Sequence, residues 1–130
     1  MPQQNIAPRV IAEKKTWAVA FSAANTARDG SGTLVTLVTA AAQGSKIELI
    51  RYAYEATTNA GMFRIFLHNG SIYLLVKELT VSAISASGSV AAASGEWKPT
   101  TDLIVPTGWT VQVATNEAVA GSAFAMGGDL

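Results

Sequence analysis

The run from Met62 to Lys77 constrains the fold more than any other part of the chain, because two stretches rich in aromatic and branched residues meet there at Asn69-Gly70. That pair tolerates φ > 0 at both turn positions, so the spacing predicts a β-hairpin closed by a type I′ turn. On the first arm Phe63, Ile65 and Leu67 share one face, with Arg64 and His68 opposite. On the second, Ile72, Leu74 and Val76 alternate with Tyr73, Leu75 and Lys77. Both arms have the period of two that marks a strand with one face turned to a core. The hairpin fixes an antiparallel β architecture, and its outward residues lack the convergence that chemistry requires.

The rest of the chain reads in the same alphabet. Residues 1 to 13, with Pro2 and Pro8, cannot propagate a helix or a central strand and are expected to form an extended N-terminal arm. Residues 14–130 are expected to form one domain. Trp17, Val19 and Phe21 alternate with small residues in a first strand, and a glycine-containing loop leads to a second over Thr33 to Thr39. A third strand runs from Ile47 to Tyr54, where the change of phase between Leu49 and Ile50 implies a bulge or burial on both faces. Beyond the hairpin, the Ala/Ser/Gly tract from Ala83 to Gly95 is interrupted by Ile84 and Val90, and is read as ordered small-residue strands leading to Trp97. Leu103 to Val105, Trp109 to Ala114 and Ser122 to Met126 are further strands, and Gly127-Gly128 is read as part of a terminal tail. About eight short strands with no amphipathic helix predict an all-β, antiparallel sandwich of jelly-roll type.

Composition narrows the functional classes. Nine basic residues balance nine acidic ones, so no global field draws in nucleic acid or an anionic membrane. Only 14% of residues are charged, and a neutral surface favours self-association into a dimer or trimer. The absence of cysteine removes disulfides and thiol chemistry. No apolar run has the length of a signal peptide or a spanning helix, so the protein is expected to be made and kept in the cytoplasm unless exported by another route.

The ionisable inventory does not assemble a reaction centre in the sequence. The single histidine, His68, lies beside a turn without a neighbouring nucleophile or orienting acid, and the acids are dispersed, with Glu48, Glu55 and Glu78 reading as exposed strand positions. No catalytic residue, metal ligand or cofactor site is expected. Gly30-Ser31-Gly32 precedes no helix that could hold a phosphate. Trp17 and Trp109 alternate in phase with valines and are expected in the core, whereas Trp97, between Glu96 and Lys98-Pro99, is expected at a rim. The candidate partner-binding residues are therefore Trp97 together with Ile6, Arg9, Val10 and Ile11 of the arm.

From Lys46 onward the order of features resembles a family of small tailed-phage virion proteins. The likeness rests on Lys46-Ile47-Glu48-Leu49-Ile50-Arg51, on the Thr57-Thr58-Asn59-Ala60-Gly61 loop running into residues 62–70, and on Glu96-Trp97-Lys98-Pro99. The run from Leu103 to Trp109 and the terminal Gly127-Gly128-Asp129-Leu130 complete it. Within that family the nearest likeness is to capsid cement, or decoration, proteins with jelly-roll folds. The resemblance implies a non-enzymatic structural role on the virion, bound outside the major capsid protein lattice and bridging capsomers. The alternative it leaves open is a carbohydrate- or receptor-binding jelly-roll module of a phage tail or fibre.

Overall fold

The computed structural model describes residues 11–130, which form nine antiparallel strands in two packed sheets. In chain order they are β1 (Glu13–Phe21), β2 (Val35–Thr39), β3 (Ser45–Tyr54), β4 (Gly61–His68), β5 (Tyr73–Val81), β6 (Ser94–Trp97), β7 (Leu103–Val105), β8 (Thr110–Thr115) and β9 (Gly121–Asp129). One sheet has the order β1-β9-β3-β6, with β7 on the same edge of β3, and the other β2-β8-β4-β5. If β6 and β7 count as two pieces of one broken edge strand, this is the jelly-roll order expected from the sequence. The break is a local insertion: Ile50 pairs with Trp97 and Ile47 with Leu103, so residues 98–102 bulge away from the two residues that separate these pairs on β3.

The core is filled from both inner faces. Phe21, Tyr52, Tyr54 and Phe63 form a ring cluster with centroids 4.8–5.9 Å apart. Ile47, Ile50, Ile65, Val111 and Val113 complete it, each almost fully excluded from solvent. Strand β9, between β1 and β3, supplies only Ala123 and Ala125 to this layer, leaving room for the large side chains beside it. Burial pushes the Tyr52 and Tyr54 phenols up, and Tyr54 meets this cost by hydrogen bonding to Thr115. No buried side-chain nitrogen or oxygen among the described residues lacks a partner.

Several expectations need correction. The hairpin turn is not type I′, because only Gly70 has positive φ (99°) and no residue other than glycine does. His68 pairs with Tyr73, leaving a four-residue loop in which the Asn69 carboxamide oxygen accepts from the amides of Ser71 and Ile72 at 2.9 Å. The asparagine thus acts through its side chain rather than through a left-handed backbone. The phase change in β3 is a bulge, placed between Ile47 and Leu49, which lets both Ile47 and Ile50 point inward.

Gly127 and Gly128 lie inside β9 rather than in a tail. A Cβ on Gly127 would overlap the Lys46 carbonyl and one on Gly128 the Glu13 carbonyl, so glycine here marks the close approach of three backbones. The small-residue tract yields strand only at Ser94–Trp97, and Ile84 contributes an isolated bridge to Thr58. The remainder is a connection carrying the buried Ala93. At the start of the chain, β1 begins at Glu13 and the Ala12 amide donates to the Asp129 carbonyl at 2.8 Å, so the sheet reaches into the segment expected to be arm.

Candidate interaction surfaces

The two sheets treat their outer faces differently. Over the β2-β8-β4-β5 sheet lies the connection from β1 to β2, residues 22–34, pinned by polar contacts. Arg64, expected on an open face, is 3% exposed. Its guanidinium donates to Glu78 at 3.1 Å, to the Asn116 carboxamide oxygen at 2.5 Å and to the Asn25 carbonyl at 3.3 Å. Glu78 also receives Arg28 from the covering loop, at 2.9 Å. Asn25 holds the loop's own shape, its side-chain amide donating to the carbonyls of Ser31 and Thr33. The hydrogen bond from Arg28, then the charges of Arg28 and Arg64, hold the Glu78 carboxyl below the usual carboxylate range. Glu78 therefore ties loop to sheet, and the sequence reading of it as an ordinary exposed strand residue missed this, since its partners are Arg28, 50 positions away, and Arg64, 14 away.

The outer face of the β1-β9-β3 sheet has no such cover. Thr16, Ala18 and Ala20 of β1, Ser122 and Met126 of β9 and Arg51 of β3 are exposed there, with Leu49 and Phe124 half-buried between them. Met126 is 44% exposed, and on β7 Ile104 of the same face is 39% exposed. The charges of this face are Arg51 on β3, opposite Glu96 of β6, and the pairs nearer its end, where Lys14 approaches Glu48 at 3.7 Å and Lys46 pairs with Asp102 at 3.0 Å. Below one corner the Lys15 ammonium pairs with Asp129 at 2.5 Å, which lowers the acid's pKa and raises the base's. The result is an uncovered face whose β1 and β9 part is made mostly of small and apolar side chains.

A second apolar surface is the tip of the β4–β5 hairpin. Ile72, Tyr73, Leu74 and Leu75 are consecutive and are 53%, 36%, 42% and 37% exposed. Tyr73 is held rigid: its ring stacks on His68 at 4.0 Å, meets Phe66 edge-on at 6.4 Å, and packs under Gly30 of the covering loop. His68 is thus committed to the ring stack. The alternation of the second arm had suggested one buried face, but β5 is the edge of its sheet and both faces of its first half meet solvent.

Between the edges of the two sheets runs an open groove of about 580 Å³, lined by Val76 and Lys77 of β5 and by Trp97, Pro99, Thr101 and Asp102 across the broken β6/β7 edge. Trp97 is half-buried, facing inward opposite Ile50 at the margin of the core. Trp17 and Trp109 are half-buried too and pack on the core from other margins. Of the arm residues singled out from the sequence, Ile6, Arg9 and Val10 lie outside the described residues. Ile11 lies beside Gly128 at the start of β1, which the structure does not bring near Trp97.

No group of three or more histidine, acidic or cysteine side chains could hold a metal ion among the described residues, and no helix there could cross a membrane. Comparison with known protein families and with curated proteins finds no match to this chain.

Proposed function

We propose that this chain is a virion structural protein of a tailed phage, a capsid cement or decoration protein that lies on the outside of the major-capsid lattice and bridges capsomers without catalysing a reaction. The observation that carries this reading is the bare outer face of the β1-β9 pair, where Thr16, Ala18, Ala20, Ser122, Phe124 and the exposed Met126 bring no charge. Isolated apolar residues on a surface need no explanation, but a contiguous low-charge face opposite a carefully covered one fits a surface built for contact. The resemblance of residues 46–130 to phage cement proteins supplies the kind of partner. Many weak copies on a repeating lattice hold as one, because each bridge raises the effective concentration of the next. In this reading the protein is in the host cytoplasm during assembly and on the capsid surface afterwards, with the segment containing Ile6, Arg9 and Val10 adding contacts to the lattice.

The test is to load purified particles with the protein and heat them, recording DNA release. A bridge stabilises the shell only by binding the assembled lattice better than free subunits, so loaded particles should release DNA at a higher temperature. Ser122→Glu, which puts a charge on the central strand of the bare face, should lower occupancy and remove the shift. Equal release temperatures, or labelling confined to the tail, would overturn the cement reading. Tail labelling would favour the receptor- or carbohydrate-binding module, whose support is the groove that sets Trp97 beside Thr101 and Asp102.

A further inference from the structure

We infer that two copies of this chain pair edge to edge through the first half of β5, antiparallel, about a two-fold axis at Leu74. This interface is separate from the bare sheet face and does not depend on the capsid reading.

The second half of the β5 edge is already occupied or guarded. The Tyr52 hydroxyl donates to the Thr80 carbonyl at 3.3 Å, and just past the strand's end Thr58 donates to the Ser82 carbonyl at 2.8 Å. Lys77 stands exposed, and Val76 is the extra residue of a bulge opposite Ile65 and Phe66. Lysines and bulges are what sheet edges use to discourage further pairing. The first half has none of these devices. From Asn69 to Val76 there is no charged residue, β5 has no strand on its outer side among the described residues, and four successive apolar side chains face solvent.

The chain's own pattern identifies the occupant as a second copy. In a continuous antiparallel pair related by a two-fold axis, each residue keeps its face, so the centre must fall on a residue. Placing it at Leu74 sets Leu74 against Leu74 and Tyr73 against the partner's Leu75, and brings Ile72 at the loop end alongside the partner's Val76, where the bulge ends the pairing. Every apolar residue then meets an apolar one, and no charge meets its like. Aromatic–aliphatic cross-strand pairs of this kind are the stabilising unit of sheets. The stack of His68, Tyr73 and Phe66 fixes the strand before it pairs, which lowers the ordering cost. Zero net charge removes long-range repulsion between copies.

Analytical ultracentrifugation of the full chain over a concentration series tests this. Wild-type protein should move from monomer to dimer as concentration rises. Leu74→Lys and Leu74→Glu should each remain monomeric with unchanged circular dichroism, because Leu74 is exposed in the single chain and each variant sets like charges face to face in the dimer. An equimolar mixture of the two variants should regain the dimer, a rescue that only an interface centred on this position gives. A wild-type monomer at all concentrations, a trimer, variants that still dimerise, or a mixture that stays monomeric would each overturn the proposal. Particle loading by the Leu74→Lys monomer, measured separately, keeps this outcome distinct from that of the cement reading.

Discussion

Strands β4 and β5 are the two arms of one hairpin, similar in apolar content and paired along their length, yet they occupy different environments. Phe63, Arg64, Ile65 and Phe66 on β4 are all buried, whereas Ile72 to Leu75 on the other arm are all exposed. The difference arises from sheet order and from one loop. β4 sits between β8 and β5 with the core on one face and the residue 22–34 connection on the other, while β5 is at the edge. Apolar character in a strand therefore reports an affinity for burial, and position in the sheet decides whether the chain satisfies it alone or leaves it for a partner. On β4 the side chains hold the fold together; on the first half of β5 they are available for contact.

The sharpest way to break this comparison is to truncate β4. Phe63→Ala would empty a fully buried site touching Phe21 and Tyr52, with an expected loss of about 3–5 kcal/mol. Chemical denaturation followed by tryptophan fluorescence measures it; a loss below about 1 kcal/mol would mean the inner face of β4 is not the core centre.

Next in size is the covered outer face. Arg64→Ala leaves Glu78 with Arg28 alone and removes the partner of the Asn116 carboxamide and the Asn25 carbonyl, and should cost roughly 3 kcal/mol, the upper end of the range for leaving buried polar groups unsatisfied. The same network predicts acid sensitivity. The Glu78 pKa is depressed in the folded state, so the stability it contributes is fully present above its unfolded pKa of about 4.3 and is lost as pH falls through the lower folded value. Thermal melts from pH 7 to pH 2 should show wild type and Glu78→Gln converging at the acid end. A constant gap between them would show that the carboxylate's charge is not what ties the loop down.

The hairpin joint comes next. Gly70 sits at φ 99° with open space where a side chain would go, so Gly70→Val is penalised by backbone alone, at roughly 1–3 kcal/mol. An unchanged melting temperature would show that the four-residue loop has a second conformation free of positive φ.

How much of this was legible follows from which interactions are local. The alternation of Phe63, Ile65 and Leu67, the strand at Leu103 to Val105 and the bulge near Leu49 are written in neighbouring residues, and the sandwich could be read from them. The burial of Arg64 could not, because the loop that covers it precedes β4 by some 30 residues and is held by Arg28 and Asn25. Glycine was misread in one place and read too simply in another. Gly127 looked like tail punctuation but marks a backbone approach set by the bulge in β3, and Asn69-Gly70 suggested a turn type that the asparagine side chain replaces with another. The contact surfaces were the least visible. Ile72 to Leu75 have the same pattern whether β5 is central or at an edge, and only sheet order separates the two.

The smallest expected effect sharpens the comparison most, because it has to be nearly absent. Ile72 is 53% exposed at the hairpin tip, so Ile72→Ser should change the stability of the single chain by no more than about 0.5 kcal/mol, in the range of surface substitutions. That holds only where the protein is dilute. If two copies pair through β5, wild type gains stability by mass action as concentration rises, and the serine variant gains less because the contact of Ile72 with the partner's Val76 is lost. Melting temperatures of the two proteins should then coincide at low concentration and separate at high concentration. The Phe63→Ala gap, which lies within one chain, should stay far less dependent on concentration. A large loss for Ile72→Ser in dilute solution would place this residue among the groups that hold the single chain together, and the contrast between the two arms of the hairpin would fail.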